Sequence, residues 1–300
     1  MDRYVLARTM RVLKPLPFLY AFYDGREGRR LHSESANWID DGAYVLGIAS
    51  YAVVDEDDAL VYDTHITLDH AHKIRNFIEA LGVKRIRVVL SHGHLDHIAG
   101  NEAFADCEII AHERTHQMLV ERRPAIETGS ASGPPAIARV VLPTTLFSES
   151  MSLDVGRLRL ELRHVDVHSS DGTTLVLPEL GLLLAGDTLE DTVTYVAEPH
   201  RLDRHLEELE RMAAWDIGRI LPNHGDPATI GGGGYRKTLI RATQQYVRTL
   251  KRCVQEPEIC DLSLAEFAAG PLRAGWISYF APYEEVHRAN VGKVLALART

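Results

Sequence analysis

Three hundred residues, 45% hydrophobic and 25% charged, exclude a disordered chain and allow one large domain or two ordinary ones. A formal net charge of −9 gives no general attraction to nucleic-acid phosphate, so nucleic acid is not an expected partner. No apolar run approaches the roughly 20 residues that span a bilayer, which removes the membrane as well.

The stretch RVLKPLPFLYAFY carries basic residues ahead of an apolar patch, as a signal peptide does. Lys14, Pro15 and Pro17 interrupt it and no small-residue cleavage site follows, so it reads as a first strand of a cytoplasmic protein. Residues 42–64 predict two strands joined by a turn at Glu56-Asp57-Asp58. A helix follows over 67–82, with Ile74, Phe77, Ile78 and Leu81 on one face and Gly82 as its stop. KRIRVVLSH is a strand with Ile86, Val88 and Leu90 on one side. A short helix near Ile98, a strand at CEIIA and a helix at HERTHQMLVERR come next, the last ended by Arg122-Arg123-Pro124. TGSASGPP, 128–135, is the clearest loop.

Strands resume at GRLRLELRHVDV, where Leu158, Leu160 and Leu162 oppose Arg157, Arg159 and Glu161, and at a hairpin turning over Pro178–Gly181. RLDRHLEELERMAAW predicts an amphipathic helix and IGRILPNHG a short strand. From Tyr235 onward the pattern is helical. The expected organisation is therefore an α/β unit over 1–234 with a helical extension over 235–300 packed on it. Cys107, Cys253 and Cys260 are too few, and odd in number, for a disulfide framework; they are expected as small buried thiols in a reducing compartment.

SHGHLDHIAG puts three histidines and an aspartate within six residues, directly after an apolar strand. His92 and His94 are two apart, so a strand pleat would turn both imidazoles the same way, and two nitrogens on one side can grip a divalent ion. Asp96 and His97 must point elsewhere and can begin a second site. Three further ligand types stand at predicted strand ends: His168 in HVDVH, Asp187 in LLLAGD and His224 in LPNHG. Strand ends gather at one rim of a layered α/β fold, where ligands bind. His164 competes with His168 for the third histidine, but is expected in mid-strand.

These motifs, SHGHLDHIAG, HSSDGTTLVLP, LLLAGD and LPNHG in that order, resemble the metallo-β-lactamase-fold superfamily of metallohydrolases over about residues 42–226. The resemblance implies a four-layer αβ/βα sandwich. It also implies one metal on His92, His94 and His168, a second on Asp96, His97 and His224, and Asp187 bridging them. Asp96 and Asp187 are then catalytic candidates as well as ligands. Two divalent ions are expected, zinc first, with iron or manganese as alternatives. They lower the pKa of bound water from 15.7 to about 7, which makes the bound hydroxide the expected nucleophile. An ester, lactone, thioester or amide of a small molecule suits such a site, and a homo-oligomer stays open. Asp187 resembles the glyoxalase II and lactonase-like branch, although acyl-homoserine lactonases carry a tyrosine soon after that aspartate and here the nearest is Tyr195.

Two other chemistries compete. A mononuclear iron sulfur dioxygenase uses similar residues on the same fold. HERTH satisfies H-E-x-x-H, with His112 and His116 as zinc ligands and Glu113 as base of a metallopeptidase. GGGGYRKT fails as a phosphate loop, because Arg236 stands where glycine is needed, and reads as a connector. Tyr279, Phe280, Tyr283 and His287 are candidates for a pocket wall or for ordinary helix packing.

Overall fold

The structure, a computed structural model, describes residues 4–298, so the extreme ends of the two expected spans, 1–3 and 299–300, lie outside the described residues. One sheet has seven strands in chain order: β1 (Arg11–Leu16), β2 (Leu19–Asp24), β3 (Ile48–Asp55), β4 (Asp58–Tyr62), β5 (Arg85–Val89), β6 (Glu108–His112) and β7 (Thr145–Phe147). The other comprises β8 (Ser150–Val155), β9 (Leu158–His164), β10 (Thr173–Leu177), β11 (Leu182–Gly186), β12 (Arg219–Pro222) and β13 (Tyr235–Arg236), laid out from β13 back to β8. The long helices are α1 (Leu68–Ala80), α2 (Glu113–Glu127), α3 (Leu202–Ala213), α4 (Thr238–Arg252) and α5 (Tyr283–Leu297).

Alternation along the strands decides which face meets which layer. Tyr51, Val53, Leu60, Tyr62 and Val89 point inward to the second sheet, where Leu160, Leu162, Leu175 and Leu184 receive them. Ala52, Val61, Val88 and Leu90 point outward, onto Ile74 and Ile78 of α1. In β11, Leu182 to Ala185 are all buried, as expected of a strand covered on both faces. The expected four-layer αβ/βα sandwich follows. Three tyrosines of the first sheet tie the layers with polar bonds: Tyr62 Oη donates to Thr173 O (2.5 Å), Tyr51 Oη to Pro222 O (2.5 Å) and Tyr23 Oη to Gly225 O (3.0 Å).

Several local expectations need correction. The N-terminal strand is a hairpin, β1–β2. Residues 39–46 are helical rather than the start of β3, ending at Gly47 with a φ of +78°. Leu81 is exposed beyond the end of α1. Helix α2 runs through Pro124 to Glu127 instead of ending before it; the proline has no N–H for the carbonyl four residues back, so the helix continues with one bond fewer. Strands β7 and β8 had no clear signal: the first is three residues long, and β8 is an edge strand with polar residues alternating outward. Tyr235 and Arg236 pair with Ile220 and Arg219, so the second sheet continues past the expected start of the extension. Helices α4 and α5 bury Tyr246, Leu250, Tyr283 and Val291 in the same apolar cluster as the sheets. Cys253 and Cys260 are buried free thiols, but Cys107 is only half-buried.

Candidate metal centre

The rim reached by β4, β5, β11 and β12 carries all seven expected ligands. Strand β5 stops at Val89, so His92 and His94 lie in the loop beyond it rather than on a pleat. His94 then precedes a single helical turn, Leu95–Ile98, which carries Asp96 and His97. His168 lies four residues past the end of β9, in a left-handed backbone conformation (φ +70°). Asp187 follows Gly186 at the end of β11, and His224 lies two residues past β12. Gly186 has a φ of +57°, and a Cβ there would lie 2.9 Å from the Ser91 Cβ. Only glycine lets β11 pass the histidine loop so closely.

The ligand atoms converge as two groups. His92, His94 and His168 form one; Asp96, His97, Asp187 and His224 form the other, with the chosen atoms of each group within 4.8 Å of one another. In the first group His94 Nδ1 lies 2.9 Å from His92 Nε2 and 3.0 Å from His168 Nε2. Nitrogens sharing a zinc at about 2.0–2.1 Å in tetrahedral geometry sit about 3.3 Å apart, close to this spacing. Asp187 Oδ2 stands between the groups, 3.1 Å from His97 Nε2, 3.4 Å from His224 Nε2, 3.7 Å from His92 Nε2 and 3.8 Å from His168 Nε2.

The outer nitrogens are tied down. His97 Nδ1 faces Asp63 Oδ2 (2.9 Å), His168 Nδ1 faces Tyr195 O (2.9 Å) and His224 Nδ1 faces Gly47 O (2.7 Å). Each of those acceptors demands a proton on Nδ1, which leaves a lone pair on the Nε2 turned into the site. Asp63 also accepts from Ser91 N (2.6 Å) and Asn223 Nδ2 (2.6 Å), so it fixes the loop and the ring together.

The residues fit a cation. Asp187 Oδ1 is buried with no hydrogen-bond partner, and crowded imidazole lone pairs lack enough protons to satisfy one another. Burial pushes His168 down to about 3 and also lowers His92 and His94, keeping those rings neutral, the form that ligates. Burial also disfavours charge on His97 and His224, but Asp187 and its neighbouring carboxylates outweigh it and raise both.

Glu190 was not anticipated. It is buried, forms a third group with His168 and Asp187, and is pushed up to about 8 by burial and then by Asp187. Its oxygens accept from Tyr195 N (2.9 Å) and Tyr283 Oη (3.0 Å). A carboxylate three residues after a ligand, in a stretch of hydroxyl and apolar residues, was the available signal.

The residues of the rival motif are not brought together as a ligand group. His112 caps α2 from the end of β6, its Nδ1 accepting from Arg114 N (3.1 Å) and its Nε2 2.7 Å from Ser148 O. Among the described residues no group of three potential ligands includes His112, Glu113 or His116. His164 does end its strand, contrary to expectation, but its Nε2 is bound to Ser170 O (2.9 Å) and its ring stacks on His112.

A cavity of about 620 Å³ opens over the centre. His94, Asp96, His168, Asp187, Glu190 and His224 floor it; Trp38, Leu46 and Leu95 line it with Ser132 of the 128–135 loop. From the tail it is α5 that contributes, through Glu285, Val286, Ala289 and Lys293. The four tail residues weighed between pocket wall and helix packing do not line this cavity: Tyr283 and His287 are fully buried, as helix packing requires, Tyr279 is exposed and Phe280 packs under Arg26.

Residues 43–224 match the family model of the metallo-beta-lactamase superfamily, which spans every ligand at this rim. The chain belongs to that superfamily. A probable metallo-hydrolase, YqgX of Bacillus subtilis (strain 168), is 22% identical over 143 residues, 47% of this chain. The match spans 65% of that protein's length. Solved structures share the fold: a metallo-beta-lactamase from Pontibacter korlensis (TM-score 0.60, 17% identity, 80% of this chain and 99% of that one). A metallo-beta-lactamase family protein from Thermus thermophilus aligns more fully (TM-score 0.60, 17% identity, 95% of this chain and 92% of that one). Among the described residues no helix is long and apolar enough to cross a membrane.

Proposed function

We propose that the chain is a hydrolase that opens an ester, lactone, thioester or amide bond of a small molecule at a two-metal centre. The carrying observation is Asp187 Oδ2, set 3.1–3.8 Å from histidine nitrogens of both groups. Two divalent ions held there, zinc first, would supply Lewis acidity and an ionised water near neutral pH. The chain's own part is positioning: His92, His94 and His168 on one side, Asp96, His97 and His224 on the other, with Asp187 shared.

Trp38, Leu46, Leu95 and Val286 give the substrate an apolar wall and exclude water from one side. Arg122 and Lys293 also line the cavity, and among the described residues neither pairs with a carboxylate. That supports a substrate carrying an anionic group. Asp187 favours the glyoxalase II or lactonase-like branch within the superfamily.

The test is a panel of lactone, thioester, ester and β-lactam substrates, with elemental analysis of the same protein. Turnover that follows zinc content and is lost on chelation supports the reading. Iron as the bound metal, with oxygen consumed, would replace it by the dioxygenase.

A further inference from the structure

The superfamily match ends at residue 224, yet a later segment holds the loop between Asp187 and Ala197. Thr192 Oγ1 donates to Ser278 O (2.6 Å), and Ser278 N donates to Asp191 Oδ1 (2.7 Å). The firmest contact is Asn290 of α5. It is fully buried; its Oδ1 accepts from Val196 N (2.8 Å) and its Nδ2 donates to Thr194 O (3.0 Å). Those two bonds flank Tyr195 on both sides. Tyr195 O is the acceptor that faces His168 Nδ1, and Ala197 N donates to His168 O (3.1 Å). One side-chain amide therefore fixes the short backbone segment that sets both the tautomer and the angle of His168.

We propose that Asn290 is a positioning residue for the first metal site, acting through Thr194–Val196 on His168. The inference rests on the metal reading of that site. Its chemistry is specific: an amide presents an acceptor oxygen and two N–H donors in a single plane, and the oxygen with one of those N–H groups matches the N–H of Val196 and the carbonyl of Thr194. A leucine has the same branched skeleton with bulkier methyl ends, and leaves both backbone groups buried and unpaired, so the segment must shift to satisfy them. His168 then loses its fixed Nδ1 partner, although every ligand is still present. Outer partners of metal-bound histidines typically govern affinity by about 10–100-fold, and one step further out about tenfold is expected.

The experiment loads wild type, Asn290→Leu, Asn290→Asp and Tyr246→Phe with zinc and withdraws it with increasing concentrations of a chromophoric chelator. Thermal unfolding is followed in parallel. Tyr246→Phe leaves both bonds to the loop in place and removes the bond from Asn290 Nδ2 to Tyr246 Oη (3.1 Å), together with the contact of that hydroxyl with His287 Nδ1 (3.1 Å). Asn290→Leu is expected to weaken one zinc-binding event about tenfold and to leave the other nearly unchanged. Asn290→Asp, which keeps the acceptor for Val196 N, should fall between, and Tyr246→Phe should bind zinc as wild type. A leucine variant that is less stable but holds zinc as tightly as wild type overturns the proposal. If that variant does not fold, Asn290→Asp carries the test, because it keeps the acceptor for Val196 N and loses the N–H donated to Thr194 O. Unchanged zinc affinity there overturns the proposal equally. Zinc bound normally by wild type with no effect of either variant defeats the positioning role alone, whereas a wild type that binds no divalent ion defeats the metal reading itself.

Discussion

The loops Ser91–His97 and Asp187–Ala197 reach the same rim, but they are held there by different means. The first is fixed from the body of the sandwich. Ser91 N donates to Asp63 Oδ1, Gly93 N to Asp171 Oδ2 (2.9 Å), and Thr64 N to His97 O (2.8 Å). Its four candidate ligands are neighbours in sequence, so their geometry is almost a local property. The second loop takes its shape from the tail, through Ser278, Tyr283, Asn290 and Lys293. The two loops show that a compact motif can declare a site while the precision of that site depends on a distant helix.

Substitutions separate the two supports, and the largest effect belongs to the residue that joins them. Asp187→Ala should lower turnover by more than about 100-fold and reduce metal content together, because a direct ligand outweighs the 10–100-fold typical of outer partners. Activity assay with elemental analysis of one preparation reads both. Asp63→Ala attacks the first loop, and with it the bond from Asn223 Nδ2, but leaves the second loop's contacts in place. A loss of metal affinity of about 10–100-fold is expected, seen by chelator competition, since His97 Nδ1 and Ser91 N lose their acceptor. Tyr62→Phe touches neither loop's ligands and removes the tie from Tyr62 Oη to Thr173 O. Stability should fall by about 1 kcal/mol in denaturant unfolding, with metal content unchanged. Cys107→Ser, at a half-buried thiol remote from both loops, should change stability by no more than about 0.5 kcal/mol.

Legibility in the sequence followed the same division. His92, His94, Asp96 and His97 announced themselves by their crowding, although a strand pleat is not what aims the first two. Strand β5 ends at Val89, and a loop with one helical turn does so instead. His168, Asp187 and His224 were legible as polar residues after apolar strands, because the layered fold collects strand ends at one rim. Glu190 and Asn290 were not, since nothing in their local sequence marks a carboxylate against Tyr283 or an amide against Thr194 and Val196. Those contacts span more than ninety residues and exist only once α5 has packed. For the fold, the buried strands β3 to β5 and β9 to β11 were clear from their alternation or apolar runs. The exposed edge strand β8 and the two-residue β13 offered too little apolar pattern to read.

The most direct test of the two-group centre is the number of metal ions bound per chain, measured by elemental analysis in wild type and in Asp187→Ala under identical loading. Two ions per chain are expected in wild type, with the substitution weakening retention at both positions because one carboxylate faces both groups. A wild type that binds a single ion, or an alanine variant that still holds two as tightly, would contradict a shared Asp187.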